Sequence, residues 1–566
     1  MSNLSDAMLC TKTKMRTASE YQIGIFRHAT EQMIDPYLAK KPVTNAVVQA
    51  VAGSGKTTTI VGVAQLIPSS INAIFLAFNT EIAKELKTRL PQSVGAKTLN
   101  ALGWRICFDF ANTMAQAEGR GSIGFKEFTN ARKIWDIIRN SGFMTKKEAW
   151  DYGKDVNWII GKAMSYGIVP SSLEGNGYKS VDGQKWDIDT WLGIIKKFQK
   201  DDLDIAVLPT VLDFAEIIIA HSFQQTHVVN FDEQKYWAVT RLTDEGDYLP
   251  REKFDLIIID EVQDVSPVDR ALIQLSLKEG GMVMGVGDTN QSIYGFRGAD
   301  TDSIQTFCEV FNAVELPLSI TYRCGKKIVE AAQSLVPHIE AAPTAHDGSV
   351  DHLDEYDASE FNPAAGDMII CRNNAPIVSF AYKLIRARVP VFVKGRDIGK
   401  GIIELIEKIG GADVLALDRN LSLWQSQQND LIDQNDPDDD EAKARIGDRA
   451  ETLRVFISEN ADNKVSTVKT EIENLFDTKG YDNDKKDASM MRGKVVLSTI
   501  HKAKGLEGNT VFFLDAFLLY PRFIQKGTWQ WKQEQNVEYV AITRAINRLA
   551  YITSKGFKAK GEVAAA

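Results

Sequence analysis

Residues 49–59 read Q-A-V-A-G-S-G-K-T-T-T, and the expected fold class of the chain follows from them. Apolar residues precede it at 46–48 and follow it at 60–64, which indicates a buried strand, a glycine-rich loop and a helix. A loop of this kind wraps its backbone N–H groups around a phosphate at the N-terminus of a helix, where the helix dipole also favours negative charge. Gly53 and Gly55 let the backbone approach the anion because they carry no side chain. The stretch therefore predicts a phosphate-binding loop.

The residues that follow the loop glycines supply the chemistry of such a site. We expect Lys56 to reach the β- and γ-phosphates of ATP and the Thr57 hydroxyl to hold Mg²⁺. The strict pattern has glycine where Ala50 stands, so the stretch alone could also be an ordinary glycine turn. The candidate nucleotide-binding residues in this stretch are Ala52, Gly53, Ser54, Gly55, Lys56, Thr57 and Thr58.

Length and composition bound the architecture but leave the partner open. A chain of 566 residues is too long for one core, so we expect roughly three or four structural units. The apolar fraction of 44% and the charged fraction of 25% are ordinary for a soluble globular protein. The net charge of −9 does not favour a nucleic-acid binder, although a local basic groove can lie on an acidic body.

Three features bear on the cellular compartment. No apolar run approaches the roughly 20 residues that span a bilayer. Residues 1–16 are polar and lack the apolar core of a secretion signal. The five cysteines show no C-x-x-C spacing, which argues against a zinc or iron–sulfur site and fits a reducing interior.

Two segments on either side of the loop carry further candidate side chains. Gln22 offers a donor and an acceptor together, the pair that an adenine edge requires, although a plain surface glutamine is the alternative. Residues 73–78 form an apolar strand, and 79–90 have the apolar spacing of a helix. Phe78 and Asn79 therefore lie at the C-terminal end of a strand, where open α/β sheets place ligands.

Residues 107–249 form a long, mostly helical insertion without a chemical signature of its own. Aromatic residues close to lysines, as in residues 191–197, could stack on bases, but such aromatics are more often core. The insertion holds six of the ten tryptophans, namely Trp135, Trp150, Trp158, Trp186, Trp191 and Trp237.

Residues 254–264, F-D-L-I-I-I-D-E-V-Q-D, form the second strong candidate site. Residues 256–259 are continuously apolar, as expected for a strand that is buried on both faces of a parallel sheet. Two carboxylates follow at the end of this strand. Asp260 can hold Mg²⁺ through water, and Glu261 can orient or deprotonate the water that attacks a γ-phosphate.

A third motif follows the next strand, at residues 282–287. Residues 287–300 read G-D-T-N-Q-S-I-Y-G-F-R-G-A-D. Gln291 is an uncharged group that can sense a γ-phosphate. Tyr294 and Phe296 can stack on bases.

These three motifs stand in the order found in superfamily 1 helicases of the UvrD/Rep type, and the chain resembles that family. Such helicases often carry alanine where Ala50 stands. Residues 76–79 and 97–100 are similar in particular to the F-box-associated branch, although no F-box is seen. The resemblance implies an α/β fold of two RecA-like P-loop motor domains with parallel sheets, each carrying a mainly helical inserted subdomain. It covers most of the chain outside the two insertions.

The resemblance also assigns residues in the second half. In residues 316–325, L-P-L-S-I-T-Y-R-C-G, Tyr322 is similar to the family residue that stacks on adenine and Arg323 to one that reaches the γ-phosphate. Glu507 matches the residue that approaches the ribose of ATP. Near the C-terminal end, Arg544 resembles the arginine finger and Glu538 a supporting carboxylate.

A set of DNA contacts is likewise implied by the resemblance. The family commonly has histidine where Asn100 stands, which weakens the assignment at that position. The motif T-x-H-x-x-K-G-L-E runs from Thr499 to Glu507, and its first two named residues touch the DNA backbone in the family. The candidate DNA-binding residues are Phe78, Asn79, Thr98, Asn100, Tyr294, Phe296, Arg297, Thr499 and His501.

The motifs set the expected domain boundaries. The first motor domain comprises residues 1–106 and 250–315, with the helical insertion 107–249 between them. The second comprises 316–408 and 492–566, interrupted at 409–491 by an insertion that is short for the family. Residues 429–441 within it are rich in aspartate, and we expect a solvated or disordered loop there.

The function implied is that of an ATP-dependent DNA helicase that moves 3′→5′ on single-stranded DNA, with ATP and Mg²⁺ in the cleft between the motor domains. One alternative is a translocase that strips proteins or recombination filaments from DNA with little unwinding. Another is a non-catalytic nucleic-acid-binding scaffold, and an RNA substrate is also open. The expected catalytic residues are Lys56, Asp260, Glu261, Gln291, Arg323 and Arg544.

The expected partners are single-stranded DNA and junctions with duplex, in DNA repair, recombination or replication. We expect a monomer without a membrane partner. Its location would be the cytoplasm of a bacterium or of a virus-infected host cell, or the nucleus in a eukaryote.

Overall fold

The chain divides into two compact units, each with its own large sheet. The first unit comprises Met1–Ala50 and Gly55–Ser319, and the second comprises Val51–Ser54 and Ile320–Ala566. The computed structural model describes residues 12–13, 18–77, 80–117, 142–198, 200, 203–224, 232–243, 246–249, 251–293, 303–354, 362–435, 440–460, 464–477, 491–522 and 524–553.

The first unit is built on a six-stranded sheet in which neighbouring strands run parallel. Its strands are β1 (Asn45–Ala50), β2 (Ala73–Ala77), β3 (Val94–Thr98), β4 (Phe254–Ile259), β5 (Leu277–Gly287) and β6 (Ala313–Leu318). Their spatial order is β3-β2-β4-β5-β1-β6, so β5 lies between β1 and β4. Because the strands are parallel, the loops that follow β1, β4 and β5 meet at one edge of the sheet.

Helices cover both faces of this sheet. β4 is buried along its whole length. Ile257 and Ile259 belong to one hydrophobic cluster, and Leu256 and Ile258 belong to another. Successive side chains of a strand point to opposite faces, so an unbroken aliphatic run is what a doubly covered parallel strand requires.

The described helices of the first unit include those of the first insertion. They are Glu20–His28, the π-helical segment Ala29–Ile34, Asp35–Leu38, Lys56–Gln65, Thr80–Arg89, Leu99–Ala117, Lys146–Tyr166, Ile188–Lys197, Leu208–Gln224, Glu233–Thr240, Pro267–Ser276 and Ser303–Phe311. The helix Leu99–Ala117 crosses the boundary expected after residue 106. The insertion therefore begins within a helix that starts in the motor domain. Trp191 and Trp237 are buried in the same cluster as Ile257, which favours their interpretation as core residues.

One apolar stretch is longer than the sequence analysis expected. Within the described residues, Ile205–Ser222 is the single helical stretch long and apolar enough to cross a membrane, judged by length and composition only. Its side chains at Val211, Ala215 and Ile219 are fully buried in the core of the first unit. These positions are four residues apart, so one face of the helix packs on the core.

The second unit repeats the parallel design. Its strands are β7 (Ile320–Thr321), β8 (Glu340–Ala341), β9 (Ser349–Asp354), β10 (Met368–Cys371), β11 (Val391–Lys394), β12 (Val495–Thr499), β13 (Gly508–Leu514) and β14 (Ala545–Thr553). β7 and β8 form a two-stranded sheet, and the others form a six-stranded parallel sheet in the order β11-β12-β10-β13-β14-β9. Two α/β units with parallel sheets agree with the fold class predicted from the sequence.

The second insertion is helical and shares the core of this sheet. The described helices of the second unit are Lys326–Gln333, Asn374–Arg386, Arg396–Ile409, Val414–Asn435, Asp440–Glu459, Val465–Phe476, Ile500–Ala503 and Trp529–Ile542. Leu417, Leu453 and Ile472 of the insertion pack in one cluster with Leu497 and Phe512 of the sheet. The insertion is therefore an extension of the motor core.

Two details of the sequence interpretation are corrected. β6 pairs with β1 as far as Leu318, so the boundary expected at 315/316 falls inside a strand of the first sheet. The acidic run 429–441 is expected to be a loop, but residues 429–435 and 440–441 lie in the helices Val414–Asn435 and Asp440–Glu459, while residues 436–439 lie outside the described residues. The apolar side chains of these helices pack on the core, and that packing outweighs the repulsion among the exposed carboxylates.

The cysteines of the described residues form no disulfide. Burial raises the thiol pKa of Cys107 to about 12 and those of Cys308 and Cys324 to about 11, and it raises the pKa of Cys371 even further. The thiolate is the reactive form of cysteine, so these thiols are poor nucleophiles at neutral pH.

Candidate active site

The phosphate loop has the geometry predicted from its glycines. Gly53 and Gly55 have φ values of 71° and 80°, in the left-handed region that favours glycine. The helix Lys56–Gln65 begins directly after Gly55. Thr57 is half-buried, whereas Thr58 is exposed and its hydroxyl accepts a hydrogen bond from Arg89 Nη2 at 3.4 Å.

Lys56 lies beside the carboxylate pair of β4. Its Nζ is 3.8 Å from Glu261 Oε1. Glu261 has a φ of 53°, which is unusual for a residue with a side chain. Asp260 is buried next to it, and its Oδ1 accepts the Glu261 N–H at 2.9 Å. Burial and the neighbouring Glu261 raise the pKa of Asp260 to about 7, while Lys56 opposes this rise.

The loop after β5 adds a second buried carboxylate. Asp288 Oδ2 accepts a hydrogen bond from Gln291 Nε2 at 2.8 Å, and its Oδ1 accepts the Asn290 N–H at 3.0 Å. Burial raises the pKa of Asp288 to about 6, although Lys56 lowers it. Gln291 is thus held in place by an acid that the sequence analysis did not single out.

Gln22 is a buried residue, and the surface alternative is wrong. It is 3% exposed. Its Oε1 accepts the Ser19 N–H at 2.9 Å, and its Nε2 donates to Thr59 Oγ1 at 3.1 Å. Thr59 Oγ1 in turn donates to Gly55 O at 3.1 Å, so Gln22 braces the first turn of the loop helix. Its contact with adenine remains a prediction.

The loop fits a nucleotide phosphate. Ser54 Oγ is buried and has no hydrogen-bond partner within the described part of the chain, so it is a donor that a phosphate oxygen would satisfy. Thr57 and Asp260 are oxygen ligands of the kind that Mg²⁺ takes together with water and phosphate. The described residues contain no group of three or more His, Cys, Asp or Glu side chains placed to hold a metal. A magnesium ion bound chiefly through phosphate and water needs no such group.

In the second unit, Arg323 lies between a carboxylate and a carbonyl. Its Nε donates to Glu507 Oε2 at 2.8 Å, and its Nη1 donates to Thr543 O at 3.2 Å. Glu507 is about half exposed. Tyr322 is 53% exposed and so presents a ring on which a base could stack.

Arg544 is fully buried. It is 1% exposed, and its guanidinium donates to Val540 O at 3.0 Å and to Leu506 O at 3.1 Å. Glu538 accepts a hydrogen bond from Tyr520 Oη at 2.5 Å. Burial raises the pKa of Glu538. The role of Glu538 as a supporting carboxylate remains a prediction.

Two tyrosines hold the phosphate-loop segment Val51–Ser54: Tyr539, which the sequence interpretation missed, and Tyr322, which it named only as a residue that stacks on adenine. Tyr539 is fully buried, and its hydroxyl accepts the Ala52 N–H at 2.9 Å. The Tyr322 N–H donates to Gly53 O at 2.9 Å. A Cβ at Gly53 would lie 2.6 Å from Arg323 Cβ, so glycine is required here for space as well as for φ. Tyr539 adjoins the predicted Glu538, but nothing in the sequence pattern ties it to the loop.

The described DNA-binding candidates lie at the ends of strands. Thr98 ends β3 and caps the following helix, where its Oγ1 accepts the Ala101 N–H at 3.1 Å, and Asn100 lies in that helix. Thr499 ends β12, and His501 lies in the short helix after it. The candidates Phe78, Asn79, Tyr294, Phe296 and Arg297 lie outside the described residues.

The fold and these sites define a nucleotide-binding protein of the P-loop class with two α/β units. The family model of the UvrD/REP helicase N-terminal domain matches residues 35–312, and that of the UvrD-like helicase C-terminal domain matches residues 400–556. Together they cover most of the chain, which belongs to the UvrD/Rep-like superfamily 1 helicases.

Individual relatives agree with this family. The chain is 29% identical to DNA helicase II of Escherichia coli, over 52% of this chain and 38% of that protein. It is 27% identical to the ATP-dependent DNA helicase PcrA of Leuconostoc citreum, over 42% of this chain and 34% of that protein. It is 23% identical to PcrA of Staphylococcus epidermidis, over 90% of this chain and 81% of that protein.

Proposed function

We propose that this chain is an ATP-dependent DNA helicase that moves 3′→5′ on single-stranded DNA. The observation that carries the proposal is the meeting of Lys56 with Glu261 at 3.8 Å, beside Asp260. A phosphate-binding lysine next to two carboxylates is the arrangement that nucleoside triphosphate hydrolysis needs. The relatives are named DNA helicases, which supports DNA as the polymer on which ATP hydrolysis drives movement.

The residues of the first unit divide the hydrolytic roles. Lys56 would bind the phosphates of ATP, together with Ser54 and the loop backbone of Val51–Ser54, which is grouped with the second unit. Thr57 and Asp260 would hold Mg²⁺, which supplies positive charge to the phosphate oxygens when bound. Glu261 would orient the attacking water and take its proton.

The resemblance to the family assigns the remaining roles. Arg323 and Arg544 would contact the γ-phosphate, Glu507 the ribose, and Tyr322 and Gln22 the adenine. Gln291 would sense the γ-phosphate. The direction of movement rests on the Q-S-I-Y-x-F-R-G-A form of residues 291–299, which is that of the 3′→5′ branch.

DNA would be gripped mainly by stacking. Phe78, Tyr294 and Phe296 would each stack on a base, worth roughly 1–3 kcal/mol and tolerant of sequence. Thr98, Asn100, Arg297, Thr499 and His501 would contact the strand beside them. Stacking explains how a chain with a net charge of −9 can track a polyanion.

The test is the ATPase rate with and without single-stranded DNA, for the wild type and for Lys56→Ala. We expect strong stimulation by DNA in the wild type and loss of hydrolysis in the variant. A duplex with a 3′ or a 5′ single-stranded tail then gives the direction of unwinding. Hydrolysis that ignores DNA would refute the helicase assignment, and unwinding from the 5′ tail alone would refute the direction.

The size and packing of the second insertion favour a second candidate, a translocase that removes proteins or recombination filaments from DNA with little unwinding. The insertion shares one core with the second sheet, as Leu417 and Phe512 show. It therefore offers little independent structure for separating strands. Removal of a recombinase filament at DNA concentrations where tailed duplexes stay intact would favour this candidate over the first.

A further inference from the structure

Gln263 uses both ends of its side-chain amide to join two loops of the first unit. It is 1% exposed and lies in the turn Val262–Asp264, directly after the carboxylate pair. Its Nε2 donates to Glu261 Oε2, and its Oε1 accepts the Asp288 N–H at 3.1 Å. The amide therefore connects the end of β4 to the loop after β5.

This junction leaves no room for a side chain at position 287, the last residue of β5. A Cβ at Gly287 would lie 2.4 Å from Gln263 Oε1 and 2.8 Å from Val262 Cγ1. Both contacts are shorter than real Cβ atoms show, so a larger residue at 287 would displace the amide. The close approach of the two strand ends thus depends on glycine at this position.

The path of hydrogen bonds continues to Gln291. Asp288, whose N–H binds Gln263, accepts Gln291 Nε2 on its side chain at 2.8 Å. On the other side of the same loop, Gln49 Nε2 donates to Thr289 Oγ1. The loop after β5 is thereby tied to the strands on both of its sides, β4 through Gln263 and β1 through Gln49.

Glu261 is held at both of its oxygens. Oε1 faces Lys56 Nζ at 3.8 Å, and Oε2 accepts from Gln263. A neutral amide orients the carboxylate without cancelling its charge, whereas a cation at position 263 would weaken it as a base. The left-handed φ of Glu261 leaves its backbone in a sparsely populated conformation that the surroundings must fix.

We propose that Gln263 is a positioning residue for ATP hydrolysis: its amide aims the Glu261 carboxylate at the attacking water and fixes it relative to Gln291. This inference rests on the hydrolytic role of the site in the proposed function. Gln263 does not touch the phosphate loop in any of its hydrogen bonds, so its loss should affect the chemical step more than the binding of ATP.

The test uses Gln263→Glu, which keeps the size of the side chain but replaces the donor with an oxygen. We expect kcat for ATP hydrolysis to fall by about 10²-fold, the scale of a misplaced catalytic group, while KM and the Kd of a non-hydrolysable ATP analogue change less than about twofold. Gln274→Glu is the matched control, because Gln274 is an exposed glutamine on the helix Pro267–Ser276. It should leave kcat unchanged.

A swap tests the contact itself without relying on activity. Gln263→Glu places two carboxylates in contact and should lower Tm, and adding Glu261→Gln should restore it because donor and acceptor are exchanged. A kcat for Gln263→Glu within twofold of the wild type, or a Tm that the swap does not recover, would overturn the inference.

The same assays separate this inference from the helicase assignment. All rates are measured both with and without DNA. Hydrolysis that DNA does not stimulate would refute the helicase, while the loss of kcat in Gln263→Glu and the recovery of Tm in the swap would still support the role of Gln263. If DNA stimulates hydrolysis and Gln263→Glu does not lower kcat, the inference about Gln263 is refuted and the helicase assignment is retained.

Discussion

The two units fix their candidate catalytic groups by different means. In the first, the carboxylates are held by other side chains and face a lysine: Glu261 by Gln263, and Asp288 by Gln291. In the second, the Arg544 guanidinium donates to backbone carbonyl oxygens, and Arg323 donates to a carbonyl and to the half-exposed Glu507. Backbone carbonyls do not titrate, whereas buried carboxyl groups do. The buried carboxylates of the first unit should therefore respond to pH, whereas the position of Arg544 depends on the backbone that carries its carbonyl partners.

Removal of Arg544 should have the largest effect. If it is the arginine finger, Arg544→Ala should lower the DNA-stimulated kcat by about 10³-fold or more. It should also lower Tm, because Val540 O and Leu506 O lose their donor. Arg544→Lys keeps the charge but not the planar fork, and we expect intermediate values. A kcat for Arg544→Ala within tenfold of the wild type would show that the arginine is structural only.

Glu261→Gln tests the first unit, and here we expect a loss of activity without a loss of stability. We expect kcat to fall by about 10³-fold, within the range for a lost general base, while the ATP analogue still binds. Tm should not fall, because the change removes a like charge next to Asp260. Steady-state kinetics and thermal unfolding give both readouts. A loss of nucleotide binding equal to the loss of kcat would contradict the assignment of Glu261 to the chemical step.

Asp288→Asn should flatten the pH dependence of stability. The folded pKa of Asp288 is raised to about 6 from an ordinary value of 3.8, so the folded state holds this proton more tightly than the unfolded chain. The free energy of unfolding should therefore fall as pH rises from about 4 to about 6, by up to about 3 kcal/mol. Lys56 and Glu261 are the charged groups that act on it, in opposite directions. Urea denaturation across this range checks the slope, and an equal slope in the Asn variant would exclude Asp288 as its source.

The smallest effect concerns the second insertion. Asp448 accepts the Asn374 N–H at 3.0 Å and the Ala375 N–H at 3.3 Å, so a carboxylate of the insertion caps a helix of the motor core. Asp448→Ala should lower the free energy of unfolding by about 1–2 kcal/mol, as for a lost helix cap. Asp430→Ala removes an exposed aspartate of the same insertion and should have no measurable effect. Equal losses in the two variants would point to the charge of the acidic run instead.

The sequence predicted the parts of the site that lie within a few residues of one another. The phosphate loop and the pair Asp260 and Glu261 were found because each follows a continuous aliphatic strand, and strands of this kind place their final residues at the sheet edge. Neighbours that are distant in sequence were not found. Tyr539 contacts Ala52 across 487 positions, and no periodicity encodes such a contact.

Errors arose where packing overrides local composition. Residues 429–441 are rich in aspartate, which predicts a loop, yet residues 429–435 lie in the helix Val414–Asn435, whose Leu417, Leu421 and Trp424 pack on the core. Gln263 and Asp288 lie within the motifs at residues 254–264 and 287–300, but only the hydrogen bond between them shows that they connect the two loops.

The buried cysteines have a practical consequence for following this protein at work. Cys107, Cys308, Cys324 and Cys371 are protonated at neutral pH because burial raises the pKa of each thiol. Maleimide dyes react with thiolates and should pass over these positions. After Cys10 is changed to serine, one new surface cysteine in each unit would give a pair of fluorophores whose energy transfer follows the two units through the ATP cycle.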